Sequence, residues 1–137
     1  MKVLITDKIN ETAKNIVDEA AQGVILPTMQ EDELCNVIGE YDAQMVRSQT
    51  KVTRKVIEAG KNLKIIGRAG VGVDNIDLEA ATQNGIIVVN SPDGNTNAAA
   101  EHTVALMLAM SRNIAKAAAS TKQGLWERSK FTGDEVY

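Results

Sequence analysis

Leu63-Lys64-Ile65-Ile66-Gly67-Arg68-Ala69-Gly70-Val71-Gly72 is the stretch that decides the fold. An apolar burst runs without alternation into an arginine and then into glycines. A second burst, Ile86-Ile87-Val88-Val89, follows after room for one helix. Apolar runs that do not alternate belong to strands covered on both faces, as in a parallel sheet. Between the two bursts Leu78-Glu79-Ala80-Ala81 reads as a short helix, with Asp77 placed to cap its start and Gly85 to close its end. Strand, loop, helix and strand make one βαβ unit.

The same rhythm extends towards the N-terminus. Val3-Leu4-Ile5, Val24-Ile25-Leu26 and Ala43-Gln44-Met45-Val46 are further β-rich runs, with starts about twenty residues apart. Helical stripes fill the gaps: Ala13, Ile16, Val17 and Ala20, then Leu34, Val37 and Ile38, then Val56-Ile57. Gly23, Gly39 and Gly60 are expected to close these helices in the left-handed conformation. Thr28 and Glu31 have capping-box spacing, and Thr53 is a plausible N-cap. The units share no side-chain motif, so this is no solenoid. Five strands alternating with helices predict an α/β protein, a flavodoxin-like doubly wound five-stranded parallel sheet in the order 2-1-3-4-5.

The last third reads differently. No proline interrupts the alanine-rich chain between Thr96 and Gly124, which predicts a long C-terminal helix over about 97–123. The domain is expected to cover 1–124, with 125–137 an extended tail that Trp126 anchors. Val104-Ala105-Leu106-Met107-Leu108-Ala109-Met110 is apolar around the whole helix circumference, and such a helix needs burial on more than one side. One side is expected on the sheet and the other against a second domain or subunit. A homodimer through the helix around Leu106, including one formed by exchanging that helix, satisfies this.

Bulk properties exclude several classes. A chain of 137 residues fits one domain, and domains commonly run to roughly 100–150 residues. The net charge of −3 argues against a nucleic-acid partner, which needs a basic face. Cys35 is the lone cysteine, so neither an intrachain disulfide nor a cysteine metal site is expected, and a reducing cytoplasm is the natural setting. The apolar start is too short for a signal-peptide core, and no apolar run approaches the roughly 20 residues that span a bilayer. No membrane partner is expected.

In an open parallel sheet ligands bind beyond the carboxyl ends of the strands. That rule selects Thr6-Asp7-Lys8, Arg47-Ser48-Gln49-Thr50-Lys51, the glycine loop after Arg68, and Asn90-Ser91 through Asn95-Thr96. Arg47 and Arg68 each leave a buried strand end, and a guanidinium matches a carboxylate or phosphate through paired donors. Gly70 and Gly72 allow a tight turn whose N–H groups can cradle an anion. The plainer alternative pairs both arginines with surface carboxylates and makes the glycines a mere turn.

Other motifs fail. Gly70-Val71-Gly72 is no dinucleotide fingerprint, because Asn75 stands where the third glycine belongs. Asp74, Asn75 and Asp77 lack the distal glutamate of a calcium loop, and no metal site is expected. His102 has no nucleophile placed to pair with it and reads as a packed or helix-surface histidine. Glu101 reads as a helix-dipole partner.

Taken in order, Val46-Arg47-Ser48-Gln49-Thr50-Lys51-Val52, the run from Gly67 to Asp77, Val89-Asn90-Ser91-Pro92 and Ala100-Glu101-His102-Thr103 resemble the D-2-hydroxyacid dehydrogenases, phosphoglycerate dehydrogenases above all. The resemblance covers nearly the whole chain. It implies a substrate lobe completed by a C-terminal return of the chain, with an NAD-binding lobe between. It implies that Arg47 and Ser48 contact a small phosphorylated 2-hydroxy acid. Val71 and Gly72 would offer N–H groups to its carboxylate, with Val71 also touching the cofactor's edge. Asn95 and Thr96 would lie at the interlobe hinge near the substrate and help bind it, and Arg68 would assist with the phosphate.

The family's NAD fingerprint and its catalytic Arg, Glu and His have no counterparts in these residues. The expectation is therefore a truncated substrate lobe with no catalytic residue, no bound cofactor and no activity alone. Its parent would oxidise 3-phosphoglycerate to 3-phosphohydroxypyruvate with NAD in serine biosynthesis. The alternative is a stand-alone anion-binding or dimerisation module.

Overall fold

A computed structural model describes residues 1–136 of the chain. They fall into two compact units, divided in sequence between Gly94 and Asn95, whereas the sequence alone carried the first domain on to residue 124. The first unit contains β1 (Lys2–Ile5), α1 (Glu11–Ala20), β2 (Gln22–Ile25), α2 (Glu31–Val37), β3 (Ala43–Val46), α3 (Arg54–Ala59), β4 (Ile65–Arg68), α4 (Leu78–Gln83) and β5 (Ile87–Asn90). The sheet order is β2-β1-β3-β4-β5 and every pairing is parallel. The flavodoxin-like arrangement expected from the apolar rhythm is the one that forms.

Strand register divides the sheet into two unequal faces. Leu4, Gln44, Ile66 and Val88 are neighbours across four strands. On the larger core, Leu4 and Ile66 pack with Leu34 of α2, Val56 and Ile57 of α3, and Ala80 and Ala81 of α4. Burying each such Leu or Ile contributes roughly 1.5–3 kcal/mol. Gln44 interrupts its apolar strand; it is buried, and its carboxamide finds no hydrogen-bond partner among the described residues. The alternate residues Val3, Ile5 and Ala43 form a smaller cluster with Val17 of α1. Towards β5 this second face is bare, with Ile87 and Val89 exposed.

The punctuation is partly redrawn. Asp77 caps α4 as expected, its Oδ1 accepting the Ala80 N–H at 2.8 Å. The capping box sits two residues later than Thr28 and Glu31 suggested. Gln30 is the N-cap of α2, and its N–H donates to the Glu33 carboxylate at 3.0 Å. Of the four helix-closing glycines only Gly85 is left-handed, at φ 68°. Gly23 lies inside β2, Gly39 inside a 3-10 turn, and Gly60 has φ −76°. These short helices end by passing directly into strands or tight turns, which need no reversal of φ. Cys35 packs against the larger core, and burial pushes its thiol up.

The second unit holds α5 (Thr96–Ser111), α6 (Ile114–Lys122) and a 3-10 turn at Arg128–Phe131. The single helix expected over about 97–123 is thus two. Asn113 takes φ 52°, a left-handed conformation that breaks the helical ladder and that asparagine tolerates better than most residues. Its side chain donates to the Thr132 carbonyl at 3.2 Å, and the Asp134 N–H donates to the Ser111 carbonyl at 2.8 Å. The tail is therefore folded back on the helix junction rather than simply extended. Trp126 does not anchor it, being 82% exposed. No residue of α5 is buried. Among the described residues no helix is long and apolar enough to cross a membrane.

Candidate anion-binding site

Strand register brings the chosen loops to one rim. Val46 is opposite Arg68 across β3 and β4, and Arg68 is opposite Asn90 across β4 and β5. Arg47 and the glycine loop therefore leave the sheet at the same carboxyl edge. They are also bonded together, because the Asn75 side chain donates to the carbonyls of Arg47 at 2.8 Å and Thr50 at 2.6 Å. An isolated parallel bridge between Val52 and Ile76 continues the pairing beyond both loops.

Neither arginine is neutralised. The ion pairs among the described residues use Lys2, Lys14, Arg54, Lys55, Lys64 and Lys130, and none uses Arg47 or Arg68. Arg47 is exposed, and its Nη1 rests on the Lys8 carbonyl at 3.3 Å. That single neutral contact leaves most of its donors available. Arg68 folds back over the glycine loop. A Cβ on Gly70 would come within 2.2 Å of Arg68 Nη1, so only glycine permits this approach.

The glycine loop is held at its edges and open in its middle. Asn90 Nδ2 donates to the Val71 carbonyl at 2.6 Å, and the Ser91 N–H donates to the Gly70 carbonyl at 3.0 Å. With those carbonyls engaged, the N–H groups of Val71 and Gly72 have no acceptor among the described residues, and both residues are exposed. Two amides without acceptors and two guanidinium groups outside any ion pair thus belong to loops of one rim, and donors of both kinds can receive an anion.

One buried acid organises this rim. Asp7, which ends the first strand's extension, is 3% exposed. Its Oδ2 accepts the Arg47 N–H at 2.6 Å and its Oδ1 accepts the Thr50 hydroxyl at 2.6 Å. Further bonds come from the N–H groups of Gln49 and Thr50 and from the Thr28 hydroxyl, at 3.2–3.3 Å. Burial by itself would raise its carboxyl pKa. The Thr50 hydroxyl, the Arg47 and Thr50 amides and the Thr28 hydroxyl together outweigh that and hold it below the usual carboxylate value.

Asp7 and Thr50 lay in loops that the sequence selected, Thr28 read as a helix cap and Asn75 entered only motifs that fail, so the bonds joining them were not foreseen. The usable signal was a polar Thr6-Asp7 directly off an apolar strand, where a surface loop would tolerate anything. Asn95 and Thr96 belong to the second unit, at the head of α5, where the Asn95 carbonyl accepts the Ala99 N–H at 2.8 Å. Glu101 and His102 are exposed on α5, so His102 is a helix-surface histidine. Among the described residues no cluster of His, Cys, Asp or Glu could hold a metal ion.

A doubly wound parallel sheet with cationic side chains and free amides on its carboxyl rim defines an α/β lobe whose rim can receive a small anion. The family is specific: residues 3–131 match the D-isomer specific 2-hydroxyacid dehydrogenase, catalytic domain, and the chain belongs to that family. It is 54% identical over 136 residues to a D-3-phosphoglycerate dehydrogenase of Synechocystis sp., covering 99% of this chain and 24% of that protein. It is 55% identical to a D-3-phosphoglycerate dehydrogenase of Archaeoglobus fulgidus, covering 99% of this chain and 26% of the relative. The structure of NAD+-bound 3-phosphoglycerate dehydrogenase from Entamoeba histolytica superposes with a TM-score of 0.72 at 32% identity, over 82% of this chain and 39% of that one. The chain thus spans about a quarter of the length of the curated relatives it matches.

Proposed function

We propose that this chain is the substrate-binding lobe of an NAD-dependent phosphoglycerate dehydrogenase, a cytoplasmic enzyme that oxidises 3-phosphoglycerate to 3-phosphohydroxypyruvate. The observation that carries the reading is the single carboxyl rim from which both Arg47, outside any ion pair, and the free N–H groups of Val71 and Gly72 emerge. In this reading the two amides receive the substrate carboxylate and Arg47 and Ser48 grip its other oxygens. Arg68 assists with the phosphate, Asn95 and Thr96 form the hinge, and the exposed Val71 side chain reaches the cofactor's edge. Calorimetric titration with 3-phosphoglycerate tests it. Arg47→Ala should weaken binding about ten- to hundredfold, the worth of charge-assisted bonds to one guanidinium. Equal heats for both proteins would remove Arg47 from the site.

The 137 residues are not expected to turn over substrate alone. Nothing on the rim is placed as a general base against a nicotinamide, and the cofactor is not expected to bind this lobe. NADH absorbance with purified protein, 3-phosphoglycerate and NAD should stay at background, and a rate above it would sink this part of the proposal.

A second reading, dimerisation, is favoured by α5. Val104, Leu106, Met107, Leu108 and Met110 are all exposed on one short helix, and a contiguous apolar surface of that kind marks an association site. Two copies pairing through it form a closed, self-complementary interface. Light scattering should give twice the chain mass, and Leu106→Glu should return it to one. A wild-type mass of a single chain would contradict the pairing.

A further inference from the structure

We propose that Asp7 is a positioning residue for anion capture: it fixes the segment from Arg47 to Thr50 at the carboxyl rim that this segment shares with the glycine loop. The inference rests on the reading of the rim as the substrate site, yet it assigns a role to a residue that touches no substrate. Its basis is the number and direction of bonds converging on one carboxylate. Three successive-loop amides, those of Arg47, Gln49 and Thr50, point inward at Asp7 oxygens. Inward-pointing amides turn the loop's carbonyls the other way, and there Asn75 takes those of Arg47 and Thr50. The loop is thus held from two sides by side chains that lie far away in sequence.

Every atom that approaches Asp7 is a donor. Thr28 and Thr50 contribute hydroxyls, and the backbone contributes N–H groups. A neutral carboxamide at position 7 would present an NH2 group to this ring of donors and could satisfy only part of it. The depressed carboxyl pKa is the expected signature of such a setting.

The test combines residue-resolved amide hydrogen exchange with titration of 3-phosphoglycerate, on wild type, Asp7→Asn, Thr50→Val and Arg47→Ala. Asp7→Asn should speed exchange at Arg47, Gln49 and Thr50 while amides of Leu4 and Ile66 keep their protection. It should also weaken 3-phosphoglycerate binding by about tenfold. Thr50→Val removes one hydroxyl donor and should act in the same direction to a smaller extent, which keeps the test open if Asp7→Asn does not fold. Loop amides exchanging as in wild type, or affinity unchanged in both variants, would overturn the positioning role. Uniform loss of protection across the sheet would also overturn it, by making Asp7 a general stabiliser. If wild type and Arg47→Ala bind alike, the substrate reading fails by itself, and the exchange pattern still judges what Asp7 holds.

Discussion

Ile66→Ala should lower the unfolding free energy by about 4 kcal/mol, within the range found when a buried isoleucine is truncated and the hole does not close. Ile66 is fully buried near the middle of the sheet, with Gln44 and Val88 as its strand neighbours and helices packed over it. Rigid strands on both sides prevent collapse into the hole. Ile87, one strand over and pointing to the opposite face, is 61% exposed. Ile87→Ala should change stability by less than about 0.5 kcal/mol. Urea unfolding of both variants separates the two faces, and equal effects would refute the assignment of the larger core.

Asp7→Ala should cost about 3 kcal/mol at neutral pH, because it leaves several buried donors without an acceptor. The same residue ties stability to acid. Its folded pKa lies below the unfolded value of about 3.9. Its stabilisation is therefore complete above that value and is lost as the pH falls through the folded pKa. Urea midpoints measured from pH 7 down to pH 2 should fall more steeply for wild type than for Asp7→Ala. Parallel curves would show that Asp7 is not the acid-sensitive group.

The sheet was legible because its strands are buried on two sides and carry their own signal. The run at residues 43–46 was recovered to the residue. The other strands shift by a residue or two, since β2 begins at Gln22, whose pairing with Lys2 is dictated by its neighbour and not by its own chemistry. The helix break at Asn113 was hidden because one left-handed residue in an alanine-rich chain leaves no pattern. For the site, an arginine at a strand end is a local feature and could be found by rule. The bond between Thr50 and Asp7 spans 43 residues and exists only once β1 and β3 are in register. Chemistry that depends on register is written in the fold and not in any one segment.

The side chain of Asn75 has one further effect. Two hydrogen bonds and a parallel bridge couple the two loops, so neither can swing freely of the other without breaking them. Under the proposed function, an anion landing on the rim would then have less ordering to impose, and more of the attraction would go to affinity.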